Sequence, residues 1–240
     1  MIALESTFGR SLHSARDTGT MNLRRKILVA FGALVRPMTV VACAFLGAVV
    51  MVTTIECAAA AGTLEDGVAA YRSGDYGKAV EIWRALAEQG DAMAQDRLGG
   101  MYAEGKGLEQ SDVTATLWFQ RAANQGIADA QYNVGVSYAA GLGVARNDRE
   151  AAKWFRRAAE QGMAFAQLNL GLLYAAGRGV AQDNVEAMTW FELALFALPP
   201  GGARSDAARA MQDVAEKMTA EEQRQVNVRV KRWKATPEGK

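Results

Sequence analysis

The chain is nearly devoid of cysteine and histidine. It has 240 residues, with a single histidine, His13, and two cysteines, Cys43 and Cys57. Zinc sites of the Cys/His type, nucleophiles activated by histidine and disulfide bridges all require these residue types. The sequence after Cys57 can therefore form none of these sites.

An excess of charge and paired catalytic carboxylates are missing as well. The formal net charge is +1, so no strong global field indicates nucleic acid as a partner. Carboxylates such as Glu81, Glu88 and Glu104 occur at helical spacings, which is typical of solvated helix faces rather than of acid–base pairs. We therefore predict a protein that is not an enzyme, with no catalytic residue, metal site or cofactor.

Residues 1–61 differ in pattern from the rest of the chain. Met21 is followed by a basic triplet, by mostly apolar residues up to Ile55 and by small residues up to Ala61. A basic start, an apolar middle and a small-residue end are typical of an export signal. We therefore expect translation to start at Met21 rather than at Met1, and cleavage to occur among the last alanines.

Two alternatives for this segment stay open. Residues 38–55 form an apolar run near the lower length limit for a membrane span, which would make the segment an uncleaved anchor. A lipoprotein would use Cys43 or Cys57, but apolar residues follow Cys43 and the charged Glu56 precedes Cys57. Because the positive charges precede the apolar runs, signal and anchor imply the same topology. We expect the remaining chain in the periplasm or at the envelope, with membrane contact only through an uncleaved segment.

Beyond this segment the sequence repeats itself three times at a spacing of 36 residues. Successive Gln-Gly pairs at 89–90, 125–126 and 161–162 mark the register. A fixed period of this size predicts a solenoid, in which each unit buries its apolar face against its neighbours. The following residues recur in register as the structural signature of the repeat: Gly99, Tyr102, Gly105, Gly107, Trp118, Gly135, Tyr138, Gly141, Gly143, Trp154, Gly171, Tyr174, Gly177, Gly179 and Trp190.

Each copy predicts a helix, a glycine-rich loop and a second helix. In the second copy, Gly141 suits a left-handed C-terminal cap and Asp148 is the expected N-cap of the following helix. The mid-helix Gly135 is unfavourable by about 1 kcal/mol relative to alanine, so a neighbouring group is expected to need its space. The tryptophans lie at helical spacing beside alanines, which predicts that they belong to the core.

The recurring pattern A-x-x-x-[LV]-G-x-x-Y-x-x-G-x-G, followed by a Trp-aromatic pair, resembles the Sel-one-like repeat, a relative of the tetratricopeptide repeat. The resemblance implies an all-α, right-handed α/α solenoid. It covers three copies, which are assigned to residues 87–122, 123–158 and 159–194. Residues 62–86 lack Gly-x-Gly and are interpreted as an N-terminal capping helix pair, and residues 195–240 as C-terminal capping helices and a tail.

The resemblance also implies a non-catalytic scaffold that binds other proteins, here expected to be envelope proteins. In the family the first helices line the concave face, so variable first-helix positions outside the predicted core are candidates for partner binding. The alternative is that these are solvent-exposed helix positions with no role in binding. The candidates are Gln95, Arg97, Met101, Gln131, Asn133, Ser137, Gln167, Asn169 and Leu173.

Two other functions are kept as alternatives. Exposed tryptophans would favour a protein that binds peptidoglycan or polysaccharide by stacking. Some cysteine-rich relatives are linked to β-lactam hydrolysis, but this chain lacks their paired cysteines. The oligomeric state is not indicated by the sequence.

Overall fold

A computed structural model describes residues 62–234, which form ten α-helices and no strand. The predicted signal or anchor, and the tail after residue 234, lie outside the described residues. The helices are α1 (Leu64–Ser73), α2 (Tyr76–Glu88), α3 (Ala92–Glu104), α4 (Asp112–Asn124), α5 (Ala128–Ala140), α6 (Asp148–Glu160), α7 (Ala164–Ala176), α8 (Asn184–Ala197), α9 (Gly202–Ala215) and α10 (Ala220–Lys234).

Successive helices from α1 to α9 pack against each other in chain order, which makes the described part of the chain a helical-repeat solenoid. The buried residues form clusters along the stack, and small alanines fill the closest helix contacts. None of the helices within residues 62–234 combines the length and the apolar character that crossing a membrane requires.

The N-cap predicted at Asp148 is wrong by one residue, and the second helices of all three copies begin in the same way. The caps are Ser111, Asn147 and Asp183, whose backbones are extended at the helix start. The Asn147 side-chain oxygen accepts hydrogen bonds from the first-turn amides of Arg149 (3.1 Å) and Glu150 (3.2 Å). Such bonds satisfy amides that have no partner within the helix. The shift frees the side chain of Asp148, which follows the cap, for another contact.

The predicted C-cap at Gly141 is confirmed. Its φ of 77° is left-handed, and its amide donates to the Ser137 carbonyl at 2.8 Å. A residue with a Cβ atom is strained in this conformation, whereas glycine is not.

The mid-helix glycine makes room for a ring, as its repeated occurrence predicts. A Cβ atom added at Gly135 would lie 2.6 Å from the ring of Phe155, which is 2% exposed. The same contact joins Gly99 to the Phe119 ring. Phenylalanine, rather than the preceding tryptophan, is therefore the ring that each repeat buries against its first helix.

The expectation that all three repeat tryptophans belong to the core is wrong for two of them. Trp190 is buried, but Trp118 and Trp154 are only half-buried. The guanidinium group of Arg121 stacks on the first of these rings, at 4.4 Å from its centroid, and that of Arg157 stacks on the second, at 4.5 Å. The fully buried position is taken by the phenylalanine that follows each tryptophan.

The second glycine of each Gly-x-Gly loop touches the preceding repeat. A Cβ atom added at Gly143 would lie 2.2 Å from the backbone carbonyl oxygen of Asp112, and its φ is +68°. Gly179 has the same relation to the backbone of Asp148. No side chain fits at this distance. The backbone of the loop therefore packs directly against the first turn of the second helix of the preceding repeat.

The repeat register ends after α8, at the Pro199-Pro200 turn. Both α9 and α10 pack against α8. A capping box begins α10, because Thr219 and Glu222 each accept a hydrogen bond from the other's backbone amide. Arg229 on α10 also pairs with Glu186 on α8.

Candidate partner-binding face of the first helices

The candidate site is the first-helix face, defined here as the surface formed by α1, α3, α5 and α7. A cavity of about 430 Å³ opens at its N-terminal end, between α1, α3 and α5. Tyr71, Trp83, Asp96, Arg97 and Asn133 contribute to its walls. It is the part of this surface where side chains of three repeats meet.

Six of the nine candidate binding residues are buried, so the expectation that they lie outside the core is wrong for them. Their side chains are buried between helices, with exposures of 5% or less. The helical pattern predicts that polar or variable residues are exposed, but in the structure these residues make contacts inside the protein. The six are Gln95, Met101, Gln131, Ser137, Gln167 and Leu173.

The three buried glutamines bind the end of the preceding helix. Gln95 Nε2 donates to the Ala87 carbonyl at 3.1 Å, and Gln131 Nε2 donates to the Ala123 carbonyl at 3.2 Å. Gln167 makes the equivalent bond to the Ala159 carbonyl at 3.2 Å. Each of these carbonyls also accepts a hydrogen bond from the backbone amide of the glycine three residues later, so the glutamine adds a second bond that ties the first helix to the end of the helix before it.

A second glutamine extends this contact into the next repeat. Gln125 Nε2 donates to Gln95 Oε1 at 2.8 Å, and Gln161 Nε2 donates to Gln131 Oε1 at 2.7 Å. We call this series the glutamine ladder. The next position in the series is Ala197, and the buried Gln167 Oε1 has no hydrogen-bond partner within residues 62–234. The Gln-Gly signature therefore has a structural role, and the ladder ends where the sequence register ends.

The recurring tyrosines join the same helix junctions. The Tyr102 hydroxyl accepts from Arg84 at 3.2 Å, and the Tyr138 hydroxyl accepts from Gln120 at 3.3 Å. Arg156 bonds the Tyr174 hydroxyl in the equivalent place. Each bond links a second helix to the first helix that follows it, so the tyrosines hold adjacent repeats together.

The middle residue of Gly-x-Gly gives each loop a different contact with the repeat before it. Arg178 pairs with Asp148 through two 3.0 Å hydrogen bonds, and Arg146 approaches the same carboxylate. These bonds hold the pKa of Asp148 well below its usual range, at about 2. In the first loop, Lys106 Nζ bonds the Tyr71 hydroxyl at 2.7 Å and pairs with Glu104 at 2.6 Å.

The remaining three candidates do reach the first-helix face. Arg97 is exposed, while Asn133 and Asn169 are half-buried. They occupy the same position in successive repeats, so they form one row across α3, α5 and α7. Whether a partner contacts this row stays a prediction.

Sequence reasoning missed Asp96, the most unusual residue on this face. It is 5% exposed, and the only hydrogen bond to its carboxylate from residues 62–234 comes from Asn133 at a long 3.4 Å. Burial raises its pKa to about 6, with Asp129 adding repulsion and Arg97 opposing both. The equivalent positions are Tyr132 and Leu168, so a charged residue at an otherwise apolar register position was the available signal.

The C-terminal end of the face is apolar instead. Phe165 and Leu172 lie two turns apart on α7 and are 41% and 43% exposed. The Phe165 ring is 6.4 Å from that of Tyr132 on α5. The face thus changes from charged at α3 to apolar at α7. Among the described residues no group of His, Cys, Asp and Glu is arranged to hold a metal ion.

Comparison with known proteins identifies the repeat. The Sel1 repeat model matches residues 56–91, 92–127, 128–163 and 164–195. It therefore counts α1 and α2 as a full repeat, although their loop lacks Gly-x-Gly. The structure offers a reason, since Gly67 on α1 lies against the ring of Trp83 on α2 as Gly99 lies against Phe119.

Two solved structures show the same fold. A protective antigen of uropathogenic Escherichia coli with an SLR fold is 33% identical, with a TM-score of 0.57. The match covers 65% of this chain and 32% of the antigen, so the chain spans about a third of that protein. A Sel1 repeat protein from Oxalobacter formigenes is 28% identical, with a TM-score of 0.55, over 74% of this chain and 78% of that protein.

A search of curated protein sequences finds no match. The family model nevertheless covers more than half of the chain, and the helices, loops and internal contacts follow its register. The chain belongs to the Sel1 repeat family, whose repeats generally mediate protein–protein interaction.

Proposed function

We propose that this protein is a non-catalytic scaffold that binds other proteins outside the cytoplasm, in the periplasm or at the cell envelope. The observation that carries the proposal is the contrast within each first helix. Buried positions such as Gln131 and Gly135 repeat with the same contacts. Several more exposed positions change from copy to copy, for example Gly100, Val136 and Leu172. A fixed framework that presents a variable surface is suited to recognising a partner.

The location rests on the sequence pattern of residues 21–61, which supports export. Relatives add an indirect argument, since one of the similar structures is a protective antigen of a bacterial pathogen. Partners are accordingly expected among envelope proteins.

Glycan binding is a weaker proposal. Stacking on a sugar needs a free aromatic face. The guanidinium groups of Arg121 and Arg157 already cover one face of Trp118 and of Trp154. The stacking platforms on which that alternative depends are therefore partly occupied.

The test is a crosslinked pull-down of the full-length, C-terminally tagged protein from envelope fractions, with the N-terminus of the bait read by mass spectrometry. A mature N-terminus near Ala60 together with a specific partner supports the proposal. An intact Met21 start in membranes supports the anchored form. An unprocessed bait in the cytosol would overturn the proposed location.

A matched pair of triple variants shows whether the partner uses the first-helix face. One variant replaces Arg97, Asn133 and Asn169 by alanine. The control replaces the exposed second-helix residues Glu81, Leu117 and Lys153, which also share one repeat position. Loss of the partner in the first variant alone is expected, and the opposite pattern would contradict the assignment of the face.

A further inference from the structure

Asp96 is a carboxylate whose burial is not compensated inside the chain. It is 5% exposed and receives one long hydrogen bond, from Asn133. None of the ion pairs formed within residues 62–234 includes it, although the exposed Arg72 and Arg97 line the same cavity. A buried charge normally has an opposite charge and several hydrogen bonds around it. The charge of Arg97 acts on Asp96, but no cation of residues 62–234 forms a direct ion pair with this carboxylate.

Gly100 is a second unfavourable residue at the same place. It lies inside α3, where glycine is less favourable than alanine by about 1 kcal/mol. The neighbouring Gly99 is needed because Phe119 fills the space where its Cβ atom would be, but a Cβ atom at Gly100 would meet nothing within 4 Å. The equivalent residues in the next repeats are Val136 and Leu172. The absent side chain thus leaves space in the cavity beside Asp96.

The buried Asp96 and the mid-helix Gly100 each lower the stability of the fold, and no packing contact offsets either loss. Two such residues at one cavity indicate a binding site rather than a structural element. The cavity of about 430 Å³ is within the usual range for ligand sites. Val68 and Tyr71 contribute apolar surface to its wall, which suits the aliphatic stem of a long cationic side chain. Lys106 already approaches the Tyr71 ring, at 5.0 Å from its centroid, so the counter-ion for the charged end is Asp96 rather than the ring.

We propose that this cavity binds a lysine or arginine side chain of a partner protein, with Asp96 as its counter-ion. The proposal rests on the scaffold function proposed above and names the chemistry that its partner presents. A cation is favoured over an anion because the innermost charge is the buried carboxylate, whereas the arginines are exposed. Arg72 and Arg97 then favour acidic residues next to the inserted basic residue.

The experiment uses a random peptide library, selected on the full-length protein immobilised by a C-terminal tag. The expected result is enrichment of peptides with lysine or arginine at one position. Replacing that residue by glutamine should weaken binding at least tenfold, roughly the loss when one member of a buried charge pair is removed. Binding should also weaken as the pH falls below about 6, because Asp96 then becomes protonated.

Two variants test the charge and the space separately. Asp96→Asn removes the charge at nearly constant volume, and Gly100→Leu fills the cavity with the side chain that α7 carries at that position. Both should lose the enriched peptides. Neither is expected to unfold the protein, since the first relieves a buried charge and the second improves helix propensity. Glu81→Gln on α2 is the control and should bind as the parent does.

Enriched peptides without a basic position, or enrichment that persists in Asp96→Asn, would overturn this inference while leaving the scaffold proposal intact. A selection that yields no enriched peptide would overturn it too. The scaffold proposal would still be decided by the partner capture, because a scaffold can use the row of Arg97, Asn133 and Asn169 without this cavity.

Discussion

The two ends of the first-helix face are built on the same framework and present opposite chemistry. In α3 and in α7 the buried glutamine binds the preceding helix and the mid-helix glycine accommodates a phenylalanine ring. The exposed part of α3 carries a charged cavity around Asp96, whereas that of α7 carries Phe165 and Leu172. The contacts inside the chain thus fix one set of positions and leave the other free to determine what is bound.

We expect the largest loss of stability from a substitution in the loop that contacts the preceding repeat. Gly143→Ala places a Cβ atom 2.2 Å from the Asp112 carbonyl and forces alanine to φ +68°, so we expect it to lower the free energy of unfolding by about 3 kcal/mol or more. Gly141→Ala is the matched control, with a similar φ but no atom nearer than 3.5 Å, and should lose about 1 kcal/mol. Urea denaturation of both variants measures the difference, and equal losses would contradict the loop contact.

The cavity should respond in the opposite direction. Asp96→Asn removes a buried charge whose pKa is raised from 3.8 to about 6, and we expect a gain of about 1 to 3 kcal/mol at neutral pH. Because the folded pKa is the higher one, the contribution of Asp96 to the stability of the parent is largest below about pH 4 and is lost as the pH rises through about 6. The gain should therefore vanish below about pH 4. A variant that is less stable than the parent at neutral pH would contradict the account of Asp96.

The glutamine ladder allows a comparison between a repeat inside the array and the last one. Gln131→Leu removes bonds to the Ala123 carbonyl and to Gln161, and should lower stability by about 1 to 2 kcal/mol. Gln167→Leu also removes a bond, but it eliminates an oxygen that is already buried without a partner. Its loss should be smaller by roughly 1 kcal/mol. Thermal unfolding of the two variants measures this difference. An equal loss of stability in both would mean that the end of the ladder has no energetic effect.

The smallest effect is expected at the loop ion pair. Asp148→Asn removes the pairing with Arg178, but the carboxylate side chain is 22% exposed and Arg178 is 47% exposed. We expect a loss below about 1 kcal/mol. Since the folded pKa is lowered to about 2, this contribution is present above about pH 4 and is lost as the pH falls towards 2. The contribution of Asp148 to stability is therefore expected to fall towards acidic pH, whereas that of Asp96 is expected to rise.

The helix pairs and the space needed at the mid-helix glycine were predictable from the sequence because each recurs in three copies. The period predicted the helix pairs, and the repeated Gly135 position predicted that a neighbour needs its space. The cap of α6 was misplaced by one residue, because Asn147 and Asp148 are both good capping residues and only backbone geometry distinguishes them.

The binding surface was predicted less well, for a physical reason. A helical period shows that Gln131 is polar, but it cannot show that its side-chain amide reaches the Ala123 carbonyl at the end of the preceding helix. Likewise, the burial of Asp96 depends on side chains of α1 and α5 that lie far away in sequence. Polar residues at buried helix positions are therefore where sequence patterns and packing disagree.

The most direct test of the central claim is site-specific photocrosslinking in cells. A photoreactive amino acid replaces Arg97 or Asn133 on the first-helix face, or Glu81 or Leu117 on the second helices, in the full-length protein. We predict that the same partner is crosslinked from the first two positions and from neither of the others. Crosslinks that arise from the second helices, with none from Arg97 or Asn133, would contradict it.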